Sequence, residues 1–316
     1  MIFKKTVASA LALLLASSAL AGCAVKPSQT AAAGGNTGAS GTAAAKLNVQ
    51  FVPTNNDGSM QAKAKPFAQY LSEKLGCEVN VTLATDYSTI VEAMSSGKVD
   101  IGIMPPAAYV QARDLGAAKA VLTSQLGAYD PKTELPIKGQ LTGTFKGEIL
   151  VKANSSISSL KDLKGKKIAT LSPNSASGYI YPVAEMKDIG VNPAKDCTLT
   201  TVNDIPSEMT AVLNGQQDAC FVFQGARTVF AKKFKQYDLF RDLKVLYLTN
   251  GDIPNDAIAV RPNMDEALKQ KVKQVFLAMP KDKAGAEAMA LWGHKGYMAA
   301  TESAYDTIRD YTKKAA

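Results

Sequence analysis

Histidine is almost missing from this chain of 316 residues, which carries one, His294. A serine or cysteine nucleophile needs a base within hydrogen-bond reach. One histidine, far in sequence from the serine-rich segments, makes a His-based triad untenable and leaves only Lys-assisted serine chemistry open. Metal chemistry lacks its ligands: there is no His-Glu-x-x-His, no clustered His/Cys set and no EF-hand loop, and no Gly-x-x-x-x-Gly-Lys-Ser/Thr loop grips a nucleotide. No enzyme, metal or cofactor is expected. Cysteine is scarce as well, with Cys23, Cys77, Cys197 and Cys220 fitting neither a zinc motif nor a C-x-x-C redox pair. Cys197 and Cys220 stand at predicted strand starts, either as a disulfide or as buried thiols. The net charge of +8 is scattered, densest at Lys164, Lys166, Lys167 and at Lys232, Lys233, Lys235. A nucleic-acid surface would need a basic stripe with interleaved aromatics; none exists, and the positive surface serves at most to draw in anions.

Long apolar runs are limited to the N-terminus. Lys4 and Lys5 precede an uncharged stretch from Thr6 to Leu20 that ends in Leu20-Ala21-Gly22-Cys23. The stretch falls short of the ~20 residues a membrane span requires, and basic start, short apolar core and small residues at the cut are the layout of a secretory signal. Leu-Ala-Gly-Cys also resembles the bacterial lipobox, so residues 1–22 are expected to be a lipoprotein signal peptide and Cys23 a lipidated membrane tether. Residues 23–45 are mostly Ala, Gly, Ser and Thr. Such a segment buries too little surface to offset its ordering entropy and predicts a flexible linker. The body that follows is expected outside the cytoplasm, as a monomer.

That body alternates strands and helices. Strands are predicted at 47–52, 79–83 and 99–104, with helices at 61–75, 88–96 and 107–115 between and after them. After a less regular stretch from Gly127 to Gly147 the pattern restarts, with strands at 167–171, 198–202, 219–223 and 244–248 and helices at 178–189, 207–214 and 226–234. Alternation at this pace implies strand-helix-strand units and parallel sheets. Each half repeats one device, a helix leading through Gly97-Lys98-Val99-Asp100 or Gly215-Gln216-Gln217-Asp218 into a buried strand. A strand at 256–261 followed by helical sequence broken at Pro280 and near Gly293 suggests that the chain crosses back. The expected architecture is α/β and two-lobed, with two hinge crossings and a C-terminal helical segment. Lobe one spans 46–155 plus 253–316 and lobe two 156–252. A hinge between lobes makes a cleft that closes on a ligand.

Three loops fall where strands deliver their carboxyl ends, the usual ligand position in open α/β sheets. Ala84-Thr85-Asp86-Tyr87-Ser88 offers an aromatic wall from Tyr87 and hydroxyls from Thr85 and Ser88, or simply a helix cap. Ser175-Ala176-Ser177-Gly178 joins a strand to a helix; backbone N–H groups and Ser hydroxyls at the positive end of a helix suit an anion. Ile253-Pro254-Asn255-Asp256 carries a carboxylate, which repels an oxyanion unless one of the two holds a proton, and pairs with a cationic ligand group otherwise. The same four residues also suit a plain surface turn.

Together with Gly97-Lys98-Val99-Asp100, Pro105, Tyr109 and Leu160-Lys161-Asp162-Leu163-Lys164-Gly165-Lys166-Lys167, these loops resemble the phosphate/phosphite/phosphonate-binding proteins of ABC importers over about 47–309. The resemblance implies a type II periplasmic-binding-protein fold. It also implies a phosphorus oxyanion held at Ser175, Ala176 and Ser177, Tyr87 and Asp256 at the ligand, and delivery to a membrane permease with its ATPase. Family members often carry a Gly-x-His before the helix that leads to Ala211-Val212-Leu213-Asn214-Gly215; this chain has Asn203-Asp204-Ile205-Pro206 there, without the histidine. That departure leaves room for an aminoalkylphosphonate or another small anion, and a role beside a sensor kinase stays open.

Overall fold

The computed structural model describes residues 46–53 and 58–316; the signal segment 1–22, the linker 23–45 and Cys23 lie outside the described residues. The described strands are β1 Lys46–Phe51, β2 Glu78–Leu83, β3 Ile101–Met104, β4 Lys119–Tyr129, β5 Pro136–Thr142, β6 Thr144–Phe145 and β7 Gly147–Lys152. They continue with β8 Lys167–Thr170, β9 Thr198–Thr201, β10 Ala219–Phe223, β11 Leu243–Leu248, β12 Ile253–Pro254, β13 Ala257–Val260 and β14 Gly296–Ala299. One sheet runs β14-β4-β13-β3-β1-β2 with β5 hydrogen-bonded to β4; the second runs β11-β7-β10-β8-β9. β1 is parallel to β2 and β3, and β8 to β9 and β10, as the helical crossovers between them require.

The two sheets share a construction detail. Asp100 donates its N–H to the Asn48 carbonyl while its Oδ2 accepts the Asn48 N–H, both at 2.8 Å. Asp218 does the same to Lys167, again 2.8 Å in each direction. Both aspartates follow a glycine at positive φ, Gly97 at 69° and Gly215 at 76°, where a side chain would be strained. The internal repeat legible in the sequence is therefore a repeated lock at the start of one strand in each sheet. Each sheet has its own core. Leu47, Val49 and Phe51 pack with Phe67, Phe276 and Trp292, whereas Leu150, Ala169 and Val222 pack with Met209, Val212 and Cys220. Cys220 behaves as a small apolar residue, and Cys77, Cys197 and Cys220 are all free thiols.

Two regions differ from expectation. The irregular stretch is strand: β4 and β5 form a hairpin, and β7, wholly apolar apart from Glu148 and Lys152, pairs antiparallel with β10 and β11 in the second sheet. Sheet membership therefore changes before residue 147 rather than at 155. The helical C-terminal segment contains β14, which pairs antiparallel with β4, Tyr297 facing Ser124. Two strands, not one, thus return to the first sheet.

The chain passes between the sheets at β6 and at β12, which pair with each other, Ile253 opposite Phe145 and Pro254 opposite Thr144. Asn255 fixes the returning segment by donating Nδ2 to the carbonyls of Ser124 (3.1 Å) and Thr142 (2.9 Å). The last helix, Asp306–Ala315, makes a third connection. Arg309 pairs with Asp114 on the Pro106–Asp114 helix of the first side. On the second side Tyr311 stacks on Tyr181 (3.8 Å, 8°) and donates to Glu185 Oε1 at 2.9 Å.

Candidate functional site

A cavity of about 660 Å³ lies between the two sheets and draws its walls from both. On the second sheet's side, β8 ends at Thr170 and the chain reaches Ser175 before turning into Ala176–Ile180, a widened turn that runs into the helix Tyr181–Asp188. Ile180 donates its N–H five residues back to the Ser175 carbonyl (2.9 Å). Single wide turns of this kind recur at functional sites. Ser175 Oγ accepts the Gly178 N–H at 3.1 Å, so Ser175 does cap the helix. It also lines the cavity with Ala176 and Ser177. Gly178 is required by packing, because a Cβ there would meet the Leu171 side chain at 2.8 Å. The leading N–H groups of such a helix have no acceptor in the preceding turn, which suits them to an anion.

Tyr87 faces this turn from the first side. It opens the helix Tyr87–Ser95 and lines the same cavity as Ser175. Burial, reinforced by Asp256 and Glu208, pushes the Tyr87 hydroxyl up to about 12, so it stays a neutral donor. Thr85 and Ser88 do not join it. Thr85 Oγ1 lies 2.8 Å from Thr89 Oγ1, and Asp86 caps the helix by accepting the Thr89 N–H at 2.8 Å; neither Thr85 nor Ser88 lines the cavity. Glu208, near the start of the helix Ile205–Leu213, is buried with both carboxyl oxygens unpartnered among the described residues; burial pushes its carboxyl well above the usual range and holds it protonated.

Asp256 lines the cavity on the first side, and the histidine meets it there. His294 Nε2 lies 3.4 Å from Asp256 Oδ2 and Nδ1 lies 3.3 Å from the Tyr297 hydroxyl. With the proton on Nε2, both ring nitrogens are satisfied: Nε2–H donates to the carboxylate and Nδ1 accepts from the phenol. Sequence distance hid this pair. The signals available were that His294 is unique and stands beside a helix-breaking glycine. Where the expected family histidine is absent, Asp204 instead caps the Ile205–Leu213 helix, accepting the Ser207 N–H and hydroxyl at 2.9 Å each. The imidazole thus enters the cleft from the opposite wall.

Of the sequence-derived site residues, the fold brings Tyr87, Ser175, Ala176, Ser177 and Asp256 to one cavity. A model of the family described as "ABC transporter, phosphonate, periplasmic substrate-binding protein" matches residues 49–305. The chain belongs to this family. Its members are substrate-binding proteins of ABC transporters rather than enzymes. The chain is 26% identical to the phosphonates-binding periplasmic protein of Escherichia coli over 250 residues, 77% of this chain and 70% of that one. It is 30% identical to the phosphate-import protein PhnD of Mycolicibacterium smegmatis over 185 residues, 56% of this chain; that match spans about half of the relative's length, 54%. Among solved structures, a binding protein component of an ABC phosphonate transporter from Pseudomonas aeruginosa superimposes with a TM-score of 0.71 at 21% identity, covering 86% of this chain and 88% of that one. PhnD1 from Prochlorococcus marinus in complex with methylphosphonate gives 0.69 at 20%, covering 85% and 97%. These likenesses establish the type II periplasmic-binding-protein fold. No helix among the described residues is long and apolar enough to cross a membrane.

Proposed function

We propose that this family member is a lipoprotein, anchored through Cys23, that captures a small phosphorus oxyanion in the cleft and delivers it to an ABC permease and its ATPase. The oxyanion rests on Ser175, Ala176 and Ser177, with Tyr87 donating from the opposite wall and Asp256 reading the ligand's protonation or charge. The observation that carries the reading is the convergence of Tyr87 from one side and the Ser175–Ser177 turn from the other on a single cavity. The two lobes of this reading are each built on one of the two sheets, with the chain passing between them near β6 and β12. Closure follows because contacts from both walls favour the closed form by their differential affinity.

Titration calorimetry with phosphate, phosphite and methylphosphonate tests the site. Each charge-assisted hydrogen bond contributes about 1.5–3 kcal/mol, so Ser175→Ala with Ser177→Ala should raise Kd at least about 100-fold; unchanged affinity would sink the assignment. For the anchor, mass spectrometry of the membrane fraction should find diacylglycerol on Cys23, and its absence there would remove the lipoprotein reading. The carboxylate of Asp256 in the cavity wall favours a second ligand, an aminoalkylphosphonate, whose ammonium it would pair. Including 2-aminoethylphosphonate in the same titrations decides between them.

A further inference from the structure

The cavity is too large for the ligands just named. A five-atom phosphorus oxyanion displaces roughly three waters, about 90 Å³ at ~30 Å³ per water, against about 660 Å³ between the walls. Parted walls would make any cleft large, but these walls already touch. Gln111 Nε2 donates to Asn174 Oδ1 at 3.0 Å and Gln224 Nε2 donates to Glu134 Oε1 at 3.3 Å. The space is thus held between contacts from one sheet's side to the other's. Its chemistry is uneven as well. Beyond the Ser175–Ser177 turn and Asp256 with His294, polar lining comes from Ser59, Lys63, Gln224, Thr228, Lys233 and Lys295, and Leu126, Tyr129, Phe145, Phe223, Phe230 and Trp292 supply apolar and aromatic wall. Drug-sized ligand sites combine this range of volume with a few placed polar groups and mostly apolar lining.

Resting on the oxyanion reading of the Ser175–Ser177 turn, we propose that the ligand is an organic phosphonate or phosphate monoester bearing an aromatic or branched apolar group. The phosphoryl oxygens sit on the turn and the organic group fills the apolar part of the cavity. Burial of that group against apolar wall adds affinity that a bare oxyanion or a single methyl cannot reach.

Gly127 lines the cavity, and a Cβ built there meets nothing within 4 Å, so Gly127→Phe places a ring in the space the organic group would use. Calorimetry on the mature protein with methylphosphonate, phenylphosphonate and phenyl phosphate measures the preference. Phenylphosphonate binding at least tenfold tighter than methylphosphonate, with that ratio falling at least tenfold in Gly127→Phe, is the expected result. Should Gly127→Phe fail to fold, Val229→Trp, at an exposed residue of the same lining, takes its place. Equal or tighter binding of methylphosphonate overturns the inference and leaves the oxyanion site standing. Binding of none of the three overturns the inference, and the phosphate and phosphite titrations then decide whether the oxyanion site falls with it. Tight phenylphosphonate binding that neither filling variant weakens also overturns the inference, since the ring must then lie elsewhere.

Discussion

Ser175 carries two loads: it holds the Gly178 N–H of its own turn and lines the cavity opposite Tyr87. Ser177 makes no capping bond among the described residues. Ser175→Ala alone should therefore cost about 1 kcal/mol of stability, as lost caps do, while Ser177→Ala should leave the melting curve in place; thermal unfolding without ligand separates them. Asp256 predicts a pH effect. A carboxylate in the wall repels a dianion more than a monoanion, so affinity for phosphate should fall as pH rises and the ligand loses its second proton. Asp256→Asn, which still accepts from His294, should flatten that slope in titrations across pH 5.5–8.5. That Ser175, Ala176 and Ser177 share one cavity wall was legible because a strand-to-helix junction is marked by small hydroxyl residues within a few positions. Asp256 and His294 were not legible as a pair, being 38 residues apart and joined only when β13 and β14 flank β4. Thr85 and Ser88 fall outside the cavity wall, as a hydroxyl near a helix start serves a cap as readily as a ligand.

At the scale of elements, the β4–β5 hairpin reaches over the cavity and closes on β7. Glu134, in the hairpin loop, accepts from Gln224 and lies within hydrogen-bond reach of Glu148 on β7, beside Arg227. Burial pushes the Glu148 carboxyl up to about 8 despite Arg227. The folded chain therefore keeps a proton on Glu148 that the unfolded chain releases near 4.5. The stability this proton provides is full below about pH 4.5 and is lost as pH rises through about 8. Glu148→Gln, neutral throughout, should reduce the fall in Tm between pH 5 and pH 9; a parallel fall in both proteins would dismiss the idea. Neither β7 nor β14 stood out in the sequence. β7 is buried and offers no alternation to read, and β14 is four residues inside a segment rich in helix formers, so its strand state comes from the edge of β4 rather than from its own composition.

Over the whole molecule, the paired Asp100 and Asp218 locks show why the two-sheet plan was readable: each half writes its own local instructions. What joins the halves is less local. The buried Glu185 carboxylate accepts from Tyr247 (2.7 Å), Asn250 N–H (2.9 Å), Gly251 N–H (3.0 Å) and Tyr311 (2.9 Å), gathering β11, the returning crossing and the last helix. Glu185→Ala strands these donors and should cost on the order of 3 kcal/mol or more in denaturant unfolding.

The last helix has a consequence for energetics. A body hung on two strands swings freely, and a ligand that must select its closed form loses affinity in proportion to how rarely that form occurs. Here Arg309 fastens the helix to one side while Tyr311 fastens it to the other, so a third strut spans the gap. Where such a strut holds the closed arrangement, the range of unliganded shapes narrows toward it and more of each ligand's contact energy remains as affinity.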